Sequence, residues 1–312
     1  MIRVLDGIDA FLDQLTSVHL GPAALAILVH LVRLACTSTA WRNVLAAAYP
    51  EDRVPRIRIF AAYLAGVGVN ALIPVRAGDA VRVVIAHRAL PKSSYTTLVS
   101  STFVLMLFDL TMASALLVWA AATQNAFPPV GKLPDLPTFE FRWVFDNPTV
   151  AEIILGGFII ALGLFLIWAQ DHIRNFWARL RRPFAILGTP RRYLRTVALW
   201  QAGDWTFRLL TIWFLLAAFG LPQTVRNVLL VQVSASLATT LPLTPAGIGT
   251  EQAFLLYVFR GAVASSKLLA FSVGMKLTLI TTNAIAGFTA IFLTLRTVRY
   301  SQALGGPEEN AS

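Results

Sequence analysis

The chain alternates long apolar runs with short, mostly basic connections. Apolar stretches cover residues 18–37, 57–75, 95–122, 150–170, 196–219, 225–242, 250–263 and 268–295. A helix that crosses a bilayer needs about 20 predominantly apolar residues. The runs 18–37, 95–122, 150–170, 196–219 and 268–295 meet that length and predict membrane-spanning helices. The run 57–75 stops at Pro74 and is followed by 76–90, which is too polar and too short to cross. The run 225–242 ends in a second break, and 250–263 returns from it.

The two breaks share a pattern. One reads Asn70-Ala-Leu-Ile-Pro74-Val-Arg76-Ala-Gly78-Asp79-Ala-Val-Arg82 and the other Thr239-Thr-Leu-Pro242-Leu-Thr244-Pro245-Ala-Gly247-Ile-Gly249-Thr-Glu251. In both, a proline precedes a glycine by four positions and an acid follows within two: Pro74, Gly78, Asp79 and Pro245, Gly249, Glu251. Proline removes a backbone donor and clashes with the preceding turn. Non-helical backbone at membrane depth persists only where protein or water covers it. A pair of Gly/Pro-interrupted apolar segments in corresponding positions of two halves marks a transporter site. Pro74, Gly78, Pro242, Pro245, Gly247 and Gly249 are therefore the expected hinges.

Charge orders these segments across the bilayer. Arg53, Arg56 and Arg58 lie before 57–75, and Arg88 and Lys92 lie after 76–90. The 57–90 unit is thus read as a hairpin that enters and leaves on one side, against the alternative of a plain crossing followed by an interfacial helix. The loop 171–195 carries Arg174, Arg179, Arg181, Arg182, Arg191, Arg192 and Arg195 against Asp171 alone, which assigns it to the cytoplasm. Arg296 and Arg299 assign the C-terminal side to the cytoplasm as well. The Pro-rich, slightly acidic loop 123–149 belongs outside. By parity the 225–263 pair is then a second hairpin opening outward. The expected organisation is a single transmembrane domain, 1–300, with half-repeats 18–122 and 196–295 of opposite orientation, a linking span 150–170 and a disordered tail 301–312. Residues 1–17 read either as an interfacial helix or as a frayed terminus, and Asp6, Asp9 and Asp13 make the start unlike a signal peptide. The fold class is all-α: a polytopic integral membrane bundle with two broken or re-entrant hairpins and an inverted repeat.

Composition agrees. Of 312 residues 56% are hydrophobic and 13% charged, against roughly 25% charged in an average soluble domain. The net charge of +10 would point to nucleic acid in a soluble protein. Here it is explained by basic loops between spans. The single cysteine, Cys36, excludes an internal disulfide and a multi-cysteine metal site. His19, His30, His87 and His172 are scattered. No metal or cofactor is expected.

The two breaks resemble the transmembrane region of the lysylphosphatidylglycerol synthase family, also called the flippase-like domain family. The matching residues are Asn70, Pro74, Arg76, Gly78, Asp79 and Arg82 in the first break, and Pro242, Thr244, Pro245, Ala246, Gly247, Ile248, Gly249, Thr250 and Glu251 in the second. The resemblance spans about 18–295. It implies a multi-pass protein of the cytoplasmic membrane that moves a phospholipid or lipid-linked head group between leaflets. It implies the lipid-moving half alone, because 312 residues leave no room for the family's aminoacyl-transfer domain. Two positions depart from the family pattern. A Glu-Arg pair common before the acid of the third segment is replaced by Leu105-Met106-Leu107-Phe108-Asp109, and an arginine common in the last span is Lys276. Arginine and lysine are not equivalent as phosphate ligands.

Charged residues in apolar runs are the candidate site, because each costs about 2.5–3.5 kcal/mol at a helix centre on insertion scales. Asn70, Arg76, Asp79, Arg82, Thr244, Glu251 and Lys276 are the expected substrate-binding set. Arg76, Asp79 and Arg82 recur every three residues on roughly one helical face. There Asp79 can orient arginine forks toward a phosphate. The bland readings are that Arg76 and Arg82 snorkel to the interface and that Glu251 only caps a helix. Asp204 and Arg208, four apart, form an expected ion pair that is more structural than substrate-binding. Asp109 and Lys276 are a further candidate pair across spans. No catalytic motif is present, so an enzyme is not expected. The functions weighed are a lipid flippase or transporter working without ATP hydrolysis, a non-transporting membrane subunit of an envelope-lipid or glycan synthesis complex, and a membrane-embedded lipid-linked transferase. The expected partner is a membrane phospholipid or lipid-linked substrate. A homo-oligomer or an envelope-synthesis partner stays open, and no nucleic acid is expected.

Overall fold

The computed structural model describes residues 18–73, 77–124, 180–240, 250–259 and 263–304. Within these residues all regular structure is helical. The long helices are α1 (Leu20–Ala48), α2 (Arg56–Leu72), α3 (Ala77–Ala89) and α4 (Tyr95–Gln124). A 3₁₀ turn, Arg182–Gly188, leads to a short α5 (Pro190–Tyr193) and through a π-helical turn, Leu194–Ala198, into α6 (Leu199–Ala218). Then follow α7 (Val225–Thr240), α8 (Thr250–Val258) and α9 (Ser265–Leu304). The expected interfacial segment 1–17 and span 150–170 lie outside the described residues.

Three of these helices are long and apolar enough to cross a membrane: Leu20–Ala48, Tyr95–Ala120 and Ser265–Thr294. They present Leu20, Leu28, Leu107, Leu110, Val118, Phe288 and Phe292 outward. Such an outer face is satisfied by hydrocarbon, not by water. The protein is therefore a polytopic helical membrane protein. Two boundaries differ from the sequence expectation. The first span was expected to end at residue 37, but α1 continues to Ala48 and buries Trp41, Val44 and Leu45 on the way. Trp41-Arg42 therefore lies within the helix, and Trp41 itself packs inward. At the other end of the chain, α9 runs through Leu304, beyond the expected limit of order at 300.

α1 and α6 pack antiparallel along their lengths. The His19 amide donates to the Ala218 carbonyl at 2.9 Å, Gly203 faces Cys36, and Asn43 Nδ2 donates to the Thr196 carbonyl at 2.6 Å. This axis defines two ends. The Asn43–Thr196 end gathers Arg42, Arg56, Arg191, Arg192 and Arg195 together with the Lys92–Asp52 pair. The opposite end holds the Gly220 turn, whose carbonyl accepts from Lys267 Nζ at 2.9 Å. The helices α2 and α3 leave from and return to the arginine-rich end. α7 begins beside the Gly220 turn, and α9 begins there too, so the α7–α8 unit starts and finishes at the opposite end.

Packing follows a matched scheme. Exchange of α1 with α6, α2 with α7, α3 with α8 and α4 with α9 maps the α2–α3 contact onto α7–α8. It likewise maps α1–α2 onto α6–α7, α3–α4 onto α8–α9, and α2–α9 onto α7–α4. Two apolar cores result. One, around Trp41, Leu45, Ile59 and Leu98, fills the arginine-rich end. The other, around Ile212, Leu215, Leu230 and Phe271, fills the opposite end. α2 and α9 approach closely, and a Cβ added at Gly68 would lie 2.6 Å from the Gly287 Cα. Small residues of this kind let helix backbones approach where apolar burial provides no drive.

Candidate functional site

Polar side chains concentrate in a belt between the two apolar cores and at the first turns of α3 and α8. Neither α2, with 17 residues, nor α3, with 13, reaches the length of a full span. At a rise of about 1.5 Å per residue they extend only about 26 and 20 Å. Their antiparallel contact is close, since a Cβ on Gly66 would lie 2.7 Å from the Arg82 Cβ.

Asn70 ties the two arms together across the break. Its Oδ1 accepts from the Gly78 amide at 2.8 Å, and its Nδ2 donates to Asp79 Oδ1 at 3.2 Å. One of the free amides at the start of α3 is thus satisfied by a side chain of α2. Asp79, in the first turn of α3, forms an i,i+3 ion pair with Arg82 at 3.3 Å. The Arg82 guanidinium lies over the Trp41 ring at 5.1 Å and the Tyr63 ring at 5.9 Å. Its side chain is only 14% exposed, and its buried Nε has no hydrogen-bond acceptor among the described residues. A snorkelling side chain would carry its charged head into water. Arg82 instead keeps its head between aromatic rings. Pro74 and Arg76 lie outside the described residues.

The second break is flanked similarly. Glu251, in the first turn of α8, is buried, and its Oε2 pairs with Lys276 Nζ of α9 at 2.9 Å. Beside it Gln252 Nε2 donates to Ser272 Oγ at 3.0 Å. The cation that the sequence reading set against Asp109 therefore serves Glu251. Pro242, Thr244, Pro245, Gly247 and Gly249 lie outside the described residues. Among the described residues the α2–α3 and α7–α8 hairpins do not pack extensively on each other; each leans on the last helix of the other set.

The belt joins α1, α4 and α6. Asp204 and Arg208 pair at 2.7 Å, as their spacing predicts. Asp204 is 1% exposed and also receives Arg33 Nε at 2.9 Å and Thr37 Oγ1 at 2.5 Å. Asp109 accepts from Trp205 Nε1 at 2.8 Å and lies 3.7 Å from Arg208. Two arginines and two aspartates thus compensate each other inside the bundle. One turn away His30 Nε2 meets Asn283 Oδ1 at 2.8 Å. Sequence reading missed Arg33, Thr37, Trp205, Trp41 and Tyr63 as partners. A charged Arg33 within an apolar run was the one signal for this set.

Comparison with curated proteins and with solved structures found no match. The family model described as the lysylphosphatidylglycerol synthase TM region matches residues 2–287. That match takes in both breaks, the polar belt and every long helix up to the middle of α9. The chain belongs to the lysylphosphatidylglycerol synthase transmembrane-region family.

Proposed function

We propose that this protein is a lipid flippase or lipid transporter of the cytoplasmic membrane. It would move a phospholipid or lipid-linked head group between leaflets without hydrolysing a nucleotide and without acting as an enzyme. The observation that carries the reading is the matched placement of two acid–cation pairs. Asp79 and Glu251 sit in the first turns of the helices that follow the two breaks, Asp79 paired with Arg82 of the same helix and Glu251 with Lys276 of α9. A carboxylate beside a helix start orients a neighbouring cation and meets the positive end of the helix dipole. An arginine fork held in that way matches a phosphodiester in charge and geometry. The Arg82 Nε, buried without an acceptor among the described residues, would supply one N–H for such a ligand.

The architecture supports the same reading. Hairpins that open at opposite ends, together with helix contacts matched under exchange, are what an inverted repeat produces. Rocking of one repeat against the other would offer a central site to each leaflet in turn. The arginine-rich end faces the cytoplasm in this scheme, and both hairpins are re-entrant. Since the chain carries no nucleotide-binding motif, the drive is an ion gradient, the membrane potential or consumption of the delivered lipid.

The test is leaflet exchange of a fluorescent phospholipid in proteoliposomes holding the purified full chain. Wild-type protein should accelerate exchange over empty vesicles, and Arg82→Ala and Glu251→Gln proteins of normal thermal stability should not. Equal exchange rates in wild-type and both variants would overturn the site, and no acceleration with any phospholipid would overturn the function.

A further inference from the structure

A second polar feature lies apart from the breaks and the belt. An open cavity of about 380 Å³ at the arginine-rich end is lined by residues of α1, the start of α2 and the start of α6. Arg42, Asn43 and Arg56 form its polar wall, and Ile57, Phe60 and Trp200 its apolar one. No acidic side chain is among the described residues that line it. The Arg42 and Arg56 guanidinium groups are near enough to repel each other. Two cations facing one hollow without a carboxylate are an arrangement that an anion relieves.

The hydrogen-bond inventory sharpens this. Arg42 directs Nε and Nη2 to the Val54 carbonyl at 3.3 Å each and Nη1 to Asn43 Oδ1 at 3.0 Å. A guanidinium has five N–H donors, so Arg42 is fixed in place with donors to spare. Asn43 is anchored in turn on the Thr196 carbonyl of the segment leading into α6. Arg56 has no ion-pair or hydrogen-bond partner among the described residues. Among the described residues, the site therefore combines one rigid cation with one that has no partner.

The apolar wall decides the source of the anion. Ile57 is 84% exposed and Trp200 39%, and Leu199 next to Trp200 is 65% exposed. These side chains stand at the bundle's outer surface, where acyl chains lie. Tryptophan is enriched at the depth of the lipid head groups. A soluble phosphate would gain nothing from them, whereas a phospholipid would place its glycerol and upper acyl carbons there. Basic pockets between transmembrane helices are recognised sites for anionic head groups.

We propose that this cavity is a binding site for the phosphate of an anionic phospholipid, held between Arg42 and Arg56 with its acyl chains on Ile57, Phe60 and Trp200. It shares no residue with the Asn70, Asp79, Arg82, Glu251 and Lys276 set, and it does not depend on the chain transporting anything. One consequence is that a resident lipid would link α1, α2 and α6 at the end from which the α2–α3 hairpin departs.

The test is native mass spectrometry of the full chain released from detergent, titrated with phosphatidylglycerol, phosphatidylcholine or glycerol phosphate. Arg56→Gln is the informative variant, because Arg56 makes no side-chain bond among the described residues. Arg191→Gln, an exposed arginine at the same end outside the cavity lining, controls for bulk charge. Wild-type and Arg191→Gln proteins should retain phosphatidylglycerol in preference to phosphatidylcholine, with Arg56→Gln binding it about tenfold more weakly. Glycerol phosphate should neither bind comparably nor displace the lipid. Equal retention by wild type and Arg56→Gln, or equal weakening by Arg191→Gln, would overturn the cavity as the site. Displacement by glycerol phosphate would overturn the lipid in favour of a soluble phosphate. Wild-type protein that retains phosphatidylglycerol here but does not accelerate leaflet exchange in proteoliposomes would overturn the transport reading and leave this site standing.

Discussion

The Glu251 carboxylate and the Lys276 ammonium meet at 2.9 Å between α8 and α9, with Glu251 only 5% exposed. This pair connects the helix that follows the second break to the longest of the described helices. Removing one member of a buried pair leaves the other charge uncompensated. That costs more than the pair contributes when intact. Lys276→Met should therefore destabilise the detergent-purified protein by about 3–5 kcal/mol. The exchanged double variant Glu251→Lys/Lys276→Glu should regain part of the loss. Thermal unfolding reports both. A Lys276→Met protein as stable as wild type would mean that the pair is exposed to water in solution.

The Asp204 site makes a sharper demand, because one carboxylate serves three donors. Arg33, Thr37 and Arg208 all converge on it. Asp204→Asn leaves two guanidinium groups beside each other with only Asp109 to offset them. We expect this variant to be the least stable of the polar-belt substitutions, with a loss of about 3–5 kcal/mol. Arg33→Gln added to Asp204→Asn restores neutrality and should recover part of the folded yield. The measurement is the fraction of monodisperse protein after extraction. A double variant no better than Asp204→Asn would show that bond geometry, rather than charge balance, dominates.

The α2–α9 contact depends on two missing side chains. A Cβ at Gly68 would lie 2.6 Å from the Gly287 Cα, and backbone cannot swing aside as a side-chain tip can. Gly68→Ala should therefore part the helices and cost at least the 1–3 kcal/mol or so of an overpacked core. Gly21→Ala, with nothing within 4 Å, is the control and should be neutral or slightly stabilising. Unfolding temperatures of the two variants measured side by side decide the matter.

What the sequence disclosed follows from which interactions are local. Apolar run length placed the helices, and proline with glycine marked the breaks. The i,i+3 and i,i+4 spacings anticipated Asp79–Arg82 and Asp204–Arg208, because such neighbours share a helical face whatever the tertiary fold. Contacts between distant helices left no such trace. Arg33 reaches Asp204 across 171 positions, and nothing in either neighbourhood singles out the other. The same holds for Lys276, which was set against Asp109 although its partner is Glu251. The end of α1 was misplaced for a different reason. Trp41-Arg42 reads as an exit from the membrane, yet Trp41 is fully buried and donates to Ser101 Oγ at 2.8 Å. Arg42 is held along the helix by the Val54 carbonyl. A polar residue in a spanning helix ends the apolar run without ending the helix.

Topology is the premise on which the transport proposal stands, and it can be measured directly. Lys92 follows the α2–α3 hairpin, Ala185 lies in the 3₁₀ turn before α6, and Gln223 lies in the turn between α6 and α7. The antiparallel contact of α1 with α6 puts the first two positions at the arginine-rich end and the third at the opposite end. The only native thiol, Cys36, is buried, so a Cys36→Ser background gives little signal of its own. Lys92→Cys, Ala185→Cys and Gln223→Cys should each react with a membrane-impermeant maleimide from a single side. The first two should be protected in intact cells and labelled in inverted vesicles, and Gln223→Cys should behave in the opposite way. If Lys92→Cys and Ala185→Cys reacted from different sides, the chain between them would cross an odd number of times, and the expected pairing of α4 with a return span at 150–170 would fail. If all three reacted from one side, the two hairpins would open toward the same face, and no exchange of one repeat for the other could carry a head group across.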